Sequence, residues 1–68
     1  MDTDAVLHSW HTLLPVISQA NEDECQELLK AELEGRRRRR MLLRVHSRLN
    51  KLRAHRERDE LIEQAVAP

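Results

Sequence analysis

The side chains with most chemical reach in this 68-residue chain are its basic ones. Arg37, Arg40, Arg44, Arg48, Lys51, His55 and Arg58 recur at steps of three or four. On a helix that spacing gathers them on one face, as a ridge about five turns long. Guanidinium groups carry paired donors that match carboxylate and phosphate geometry. Such a ridge could dock an acidic protein surface, or it could neutralise the phosphates of DNA or RNA and release their counterions. The plainer alternative is a solvated charge run neutralised by the chain's own acids. Arg36 to Arg40 are five arginines in succession. On a helix they point in every direction, so they cannot all enter one groove.

Two observations weigh against nucleic acid. Formal net charge is zero, whereas a nucleic-acid-binding domain is plainly basic. No aromatic residue sits among the arginines in the sequence, so bases are expected to have nothing to stack on there. A helix-turn-helix also finds little support, because Gly35 is followed by charge rather than a short apolar turn.

Other reactive side chains offer less. His8 and His11 stand three apart, a possible two-ligand arrangement, but His46 and His55 lie too far along to complete it. A structural zinc site wants four ligands in closely spaced pairs, so neither metal nor cofactor is expected. Cys25 sits near an expected helix N-terminus, which favours a thiolate. The neighbouring Glu22, Asp23 and Glu24 oppose it, and the Cys25–Leu29–Leu33 series reads as core. No Gly-rich phosphate loop or GxSxG motif occurs. The carboxylates are expected on solvated faces. A chain this short leaves little room for a ligand pocket of a few hundred cubic ångströms, so a non-enzymatic binding role is expected.

These residues need helices to position them. Leu, Arg, Glu and Ala dominate, all strong helix formers, and β-branched residues never cluster. The pattern predicts an all-α fold, either a small helical hairpin or a three-helix bundle. A first helix spans about 4–19, capped by Thr3 or Asp4, with Val6, Leu7, Trp10, Leu13, Leu14 and Ile17 on its apolar face. Pro15 should kink or break it near Leu14. Asn21, with Glu24 three residues on, starts a second helix over 22–34, with Cys25, Leu28, Leu29 and Leu33 inward. Gly35 ends it through a left-handed backbone. The third helix spans 37–66, with Met41, Leu42, Val45, Leu49 and Leu52 as its stripe, and Arg53–Glu57 and Arg56–Glu60 paired along it. Ala67 and Pro68 should fray.

An antiparallel hairpin would set Glu24, Glu27 and Glu34 near Arg40, Arg44 and Arg48, with Trp10, Leu13 and Ile17 covering it. Trp10 is expected mainly as core, or as an interface anchor if its face is left open. The rival is one helix from Glu22 to Ala65 paired with a second copy, weakened by the missing stripe between Leu33 and Met41.

Residues 1–68 form at most one domain, too short to bury much core. One cysteine excludes an internal disulfide, so tight packing or a homodimer must supply support. Zero net charge hides a split. Residues 1–35 hold eight acids against Lys30, and residues 36–68 hold eleven bases against four acids, balances of −7 and +7. With no basic leader and no run of ~20 apolar residues, a cytoplasmic protein without membrane contact is expected.

The stretch from Leu42 to Leu61, LLRVHSRLNKLRAHRERDEL, carries an LxRxHxRxxxxR-like spacing on Leu42, Arg44, His46, Arg48 and Arg53. In this it resembles short accessory polypeptides encoded by tailed bacteriophages. The resemblance implies a setting, a phage accessory gene acting in the cytoplasm of a host cell, which a compact binder of host machinery would fit. It implies no mechanism. The leading expectation is a basic helix docked on an acidic surface of a larger protein. The alternatives are phosphate-backbone binding to DNA or RNA, and a structural homodimer.

Overall fold

In the computed structural model, residues 1–66 are described; Ala67 and Pro68, where fraying is expected, lie outside them. The fold is all-α, with four helices and no strand among the described residues: α1 (Thr3–Val6), α2 (Trp10–Ile17), α3 (Glu22–Glu34) and α4 (Arg39–Val66). No helix among them is long and apolar enough to cross a membrane.

Local hydrogen bonds set each boundary. Asp2, rather than Thr3 or Asp4, caps α1, its carboxylate accepting the Ala5 N–H at 3.2 Å. The break in the N-terminal stretch falls between Val6 and Trp10, not near Pro15. Ser9 is extended there, with φ −151° and ψ 169°. Its hydroxyl accepts the Thr12 N–H at 3.2 Å. Thr12 Oγ1 in turn accepts the Ser9 N–H at 2.9 Å and donates to the Val6 carbonyl at 2.8 Å. This reciprocal cap gives the chain a local alternative to continuing α1. Pro15 stays inside α2. It removes the donor that the His11 carbonyl would otherwise receive, and both residues are on the exposed side of the helix.

Asn21 starts α3 through a second reciprocal cap. Its Oδ1 accepts the Glu24 N–H at 2.8 Å, and Glu24 Oε1 accepts the Asn21 N–H at 3.0 Å. Glu22, Asp23 and Glu24 fill the first turn, where the helix dipole favours negative charge. Gly35 ends α3, but with φ −107° rather than a left-handed backbone. The left-handed residue is Arg37, at φ 53°. For a residue with a Cβ that conformation costs about 1–2 kcal/mol. Two bonds hold it: the Arg37 N–H to the Glu32 carbonyl and Arg37 Nε–H to the Leu33 carbonyl, each 2.8 Å. The turn delays α4 to Arg39, two residues later than the sequence suggests, and it excludes one continuous helix.

α3 and α4 pack antiparallel, with Glu32 reaching Arg38 at one end and Glu22 reaching Arg56 at the other. Leu7, Leu13, Ile17, Ala20, Cys25, Leu28, Met41, Val45 and Leu49 make the buried cluster, with Val6, Trp10, Leu29 and Leu52 half-buried against it. Burying each large aliphatic side chain is worth about 1.5–3 kcal/mol. Leu42 and Leu14 are also half-buried, whereas Leu33 is 49% exposed. Leu33 lies outside the core because the adjacent position is taken by Glu32, only 2% exposed.

That buried acid corrects the expectation that all carboxylates face solvent. Glu32 accepts the Arg38 backbone N–H at 2.8 Å, its Nε–H at 3.1 Å and a terminal guanidinium N–H at 2.7 Å. Arg38 also donates to the Leu7 carbonyl at the end of α1. One ion pair therefore ties α1 to the α3–α4 turn. Bonds from the guanidinium hold the Glu32 carboxyl below its ordinary value despite the opposing effect of burial.

The helices are unequal. At about 1.5 Å per residue α4 is roughly 42 Å long and α3 roughly 20 Å. Beyond Arg56, which meets the first residue of α3, residues 57–66 of α4 are all exposed. The molecule is correspondingly elongated, 49 × 18 × 17 Å.

Candidate functional site

α4 positions the basic face. At about 100° per residue, Arg40, Arg44, Arg48, Lys51, His55 and Arg58 fall within an arc of roughly 80°, and Met41, Val45, Leu49 and Leu52 fill the adjoining arc. Burial follows that division: Met41, Val45 and Leu49 are buried, while Arg40, Lys51, His55 and Arg58 are exposed and Arg44 and Arg48 half-buried. From Arg40 to Arg58 the ridge runs roughly 27 Å. Arg37 is not part of it. It lies in the turn before α4, with its guanidinium on the Leu33 carbonyl.

The upper ridge rests on α2. The Arg40 guanidinium carbon stands 3.7 Å from the centroid of the Trp10 ring, a cation–π contact worth about 0.5–1 kcal/mol at an exposed site. Arg48 Nε–H donates to the Ala20 carbonyl at 3.2 Å. α2 (WHTLLPVI) carries no Asp, Glu, Lys or Arg, so it sets no carboxylate beside the ridge. Trp10 is half-buried between the core and Arg40, part core and part platform.

The chain's acids form no direct ion pair with this face. Among the described residues, the ion pairs within 4.0 Å are Glu32–Arg38, Glu22–Arg56 and Glu60–Arg56. None involves Arg40, Arg44, Arg48, Lys51 or Arg58. The expected approach of Glu24, Glu27 and Glu34 to the ridge does not form ion pairs. Glu24 is engaged in capping Asn21, and Glu27 and Glu34 are exposed on the outer side of α3. Along α4, Arg56–Glu60 pairs at 3.1 Å and Arg53–Glu57 does not.

The remaining candidates separate in space. Cys25 is fully buried, and burial pushes its thiol up, which suits a core residue and disfavours a nucleophile. His8 lies in the turn after α1 and His11 on α2, so they do not share a helix as expected; both are exposed. Among the described residues no cluster of three His, Cys, Asp or Glu side chains is placed to hold a metal ion. The surface does hold concavities of a few hundred cubic ångströms, larger than the chain length suggests. An apolar one, about 390 Å³, runs along the α3–α4 seam over Leu29, Leu33 and Leu49. It is an open groove, well away from the ridge.

The Glu32–Arg38 pair was missed from sequence. The signal was present: Glu32 follows Cys25 and Leu28 at steps of three and four, an acid on the apolar line. Six residues later the arginine run supplies its partner.

Compared with known proteins, the chain matches no family model, no curated protein and no solved structure.

Proposed function

We propose that this chain is a non-enzymatic interaction module that docks the basic ridge of α4 onto an acidic surface of a larger protein. One observation carries the reading. Arg40, Arg44, Arg48, Lys51 and Arg58 share a helix face, and none has a carboxylate partner among the described residues, although the chain contains twelve acids. The same chain pairs Arg38 and Arg56 closely where they serve the fold. Unpaired like charges on one face repel one another, and an acidic partner relieves that repulsion while steering encounter.

Protein is favoured over nucleic acid because the ridge leads into Ile62 and Val66, exposed apolar residues on the same side of α4. Apolar contact adds affinity to a protein interface, whereas phosphate backbones offer it little. In the phage setting that the Leu42–Leu61 stretch resembles, the larger protein would belong to the host.

The test is fluorescence anisotropy with three labelled probes: a short polyglutamate peptide, duplex DNA and single-stranded RNA, each at low and near-physiological salt. Polyglutamate is expected to bind the wild-type chain and to lose binding to the triple variant Arg44→Glu, Lys51→Glu, Arg58→Glu. Circular dichroism should show the helices intact, since none of the three makes an ion pair in the fold. Tight nucleic-acid binding that persists at near-physiological salt, with no binding of polyglutamate, would overturn the proposal.

A further inference from the structure

The ridge occupies one side of α4. On the other side, roughly 140° around the helix, His46, Asn50, Arg53, Glu57 and Leu61 share a second face. This face runs from the α3–α4 groove out along the unsupported end of α4. The groove has an apolar floor of Leu29, Leu33 and Leu49, edged by Lys30, His46 and Arg53, with Glu34 at one end. The projecting end carries Leu61, 66% exposed, amid Glu57, Asp59, Glu60 and Glu63 against a single base, Arg58.

We infer that the occupant of this groove is the projecting end of a second copy of the chain, with the two α4 helices crossing antiparallel near residue 55. Three features fit a second copy. The first is position: receptor and plug lie on one face of one helix, the arrangement that a two-fold, self-complementary interface requires. With the crossing at residue 55, Leu61 of either copy comes level with Leu49 of its neighbour, alongside the groove. The second is charge. The same register sets Arg53 of one copy against Glu57 of the other, twice. It also brings the acidic end of α4 to a groove edged by Lys30 and Arg53. A parallel pairing would set Arg53 on Arg53 and is repelled. The third is an unused interaction. Arg53 and Glu57 stand four apart on α4, yet they form no ion pair within the chain, so both are available to a neighbour.

The buried apolar contribution is small, chiefly Leu61 twice, so association is reversible and weak rather than obligate. The two basic ridges remain exposed on the outer sides of the pair. A chain of this length has little core to spare, and pairing gives the projecting end of α4 a surface to pack on.

Sedimentation velocity across a concentration series up to the millimolar range tests this. Wild-type protein should show a monomer–dimer equilibrium. Leu61→Glu, at an exposed position that the fold does not use, should weaken it by about tenfold or more, the scale of one lost interface contact. Arg53→Glu and Glu57→Arg should each sediment as monomers, because each sets like charges against one another in the pair. An equimolar mixture of those two variants should dimerise again, since both cross-pairs become attractive. The doubly reversed chain, Arg53→Glu with Glu57→Arg, should recover dimer on its own in the antiparallel register. A wild-type chain that stays monomeric throughout overturns the inference, and so does a dimer indifferent to Leu61→Glu or a mixture that fails to associate. None of these outcomes bears on the ridge, whose residues are unchanged in every variant.

Discussion

Arg38→Ala should unlock the fold at its most closely bonded point. Its guanidinium neutralises Glu32, whose side chain is 1% exposed, and holds the Leu7 carbonyl at the end of α1. Removing one partner of a fully buried ion pair destabilises by about 3–5 kcal/mol, because the remaining charge is left without compensation. Arg38 is itself 30% exposed, so water reaches part of the site and the expected loss is about 2–3 kcal/mol. A domain of this size has total stability of roughly 3–10 kcal/mol. At about 4–8 °C per kcal/mol, Tm should fall by roughly 8–24 °C. Thermal denaturation followed by circular dichroism measures it.

The pH profile distinguishes this cause from lost packing. Arg38 holds the Glu32 carboxyl below its ordinary value of 4.5. A carboxyl whose pKa falls on folding adds stability above its unfolded pKa and loses it as pH drops through the folded value. Wild-type stability should therefore decline as pH is lowered from about 4.5. In Arg38→Ala the lowering by the guanidinium is lost, and burial, which raises the Glu32 carboxyl, is opposed only by the residue-38 backbone N–H and by Arg36. Protonation then removes the buried charge, and the gap between variant and wild type should narrow in acid. A loss under about 0.5 kcal/mol, the range of an ordinary surface substitution, would contradict a buried Glu32 charge that depends on Arg38. So would a gap that stays constant with pH.

Other consequences follow from single residues. Arg37→Gly should raise Tm by a few degrees, since glycine accepts φ 53° without the Cβ penalty of about 1–2 kcal/mol and only an exposed bond to Leu33 is lost. Asn21→Ala should cost about 1 kcal/mol by removing the cap of α3, read in urea denaturation as a lower midpoint with unchanged slope. Arg40→Ala should leave the fold intact, cost no more than about 1 kcal/mol, and change the emission of Trp10, the chain's one aromatic residue.

The sequence carries α3 openly. Asn21 and Glu24 close a cap that depends only on neighbours, and Gly35 has no side chain to hold the helix on, so both ends of α3 follow from local chemistry. The N-terminal break did not follow as directly. Pro15 is the stronger signal by residue type, but the Ser9–Thr12 cap wins because it satisfies backbone groups on both sides of the break, whereas Pro15 leaves only the exposed His11 carbonyl short of a donor. Arg37 shows the same competition. A left-handed residue is expected at glycine, yet the bonds from Arg37 to Glu32 and Leu33 move it two positions on. The six-residue ridge of α4 could be read from spacing alone. Whether the acidic half would neutralise it could not, because ion pairing depends on which way α3 is turned, and α3 turns Glu32 inward and Glu27 and Glu34 outward.

The proposed docking surface is the basic face of α4. Its most direct test is a two-dimensional ¹H–¹⁵N NMR titration of the labelled chain with unlabelled polyglutamate. Shifts are expected to concentrate at Arg40, Arg44, Arg48, Lys51, His55 and Arg58, with the indole signal of Trp10 moving through Arg40 and the outer side of α3 unchanged. Shifts centred on the α3–α4 groove, or none along α4, would contradict the proposal.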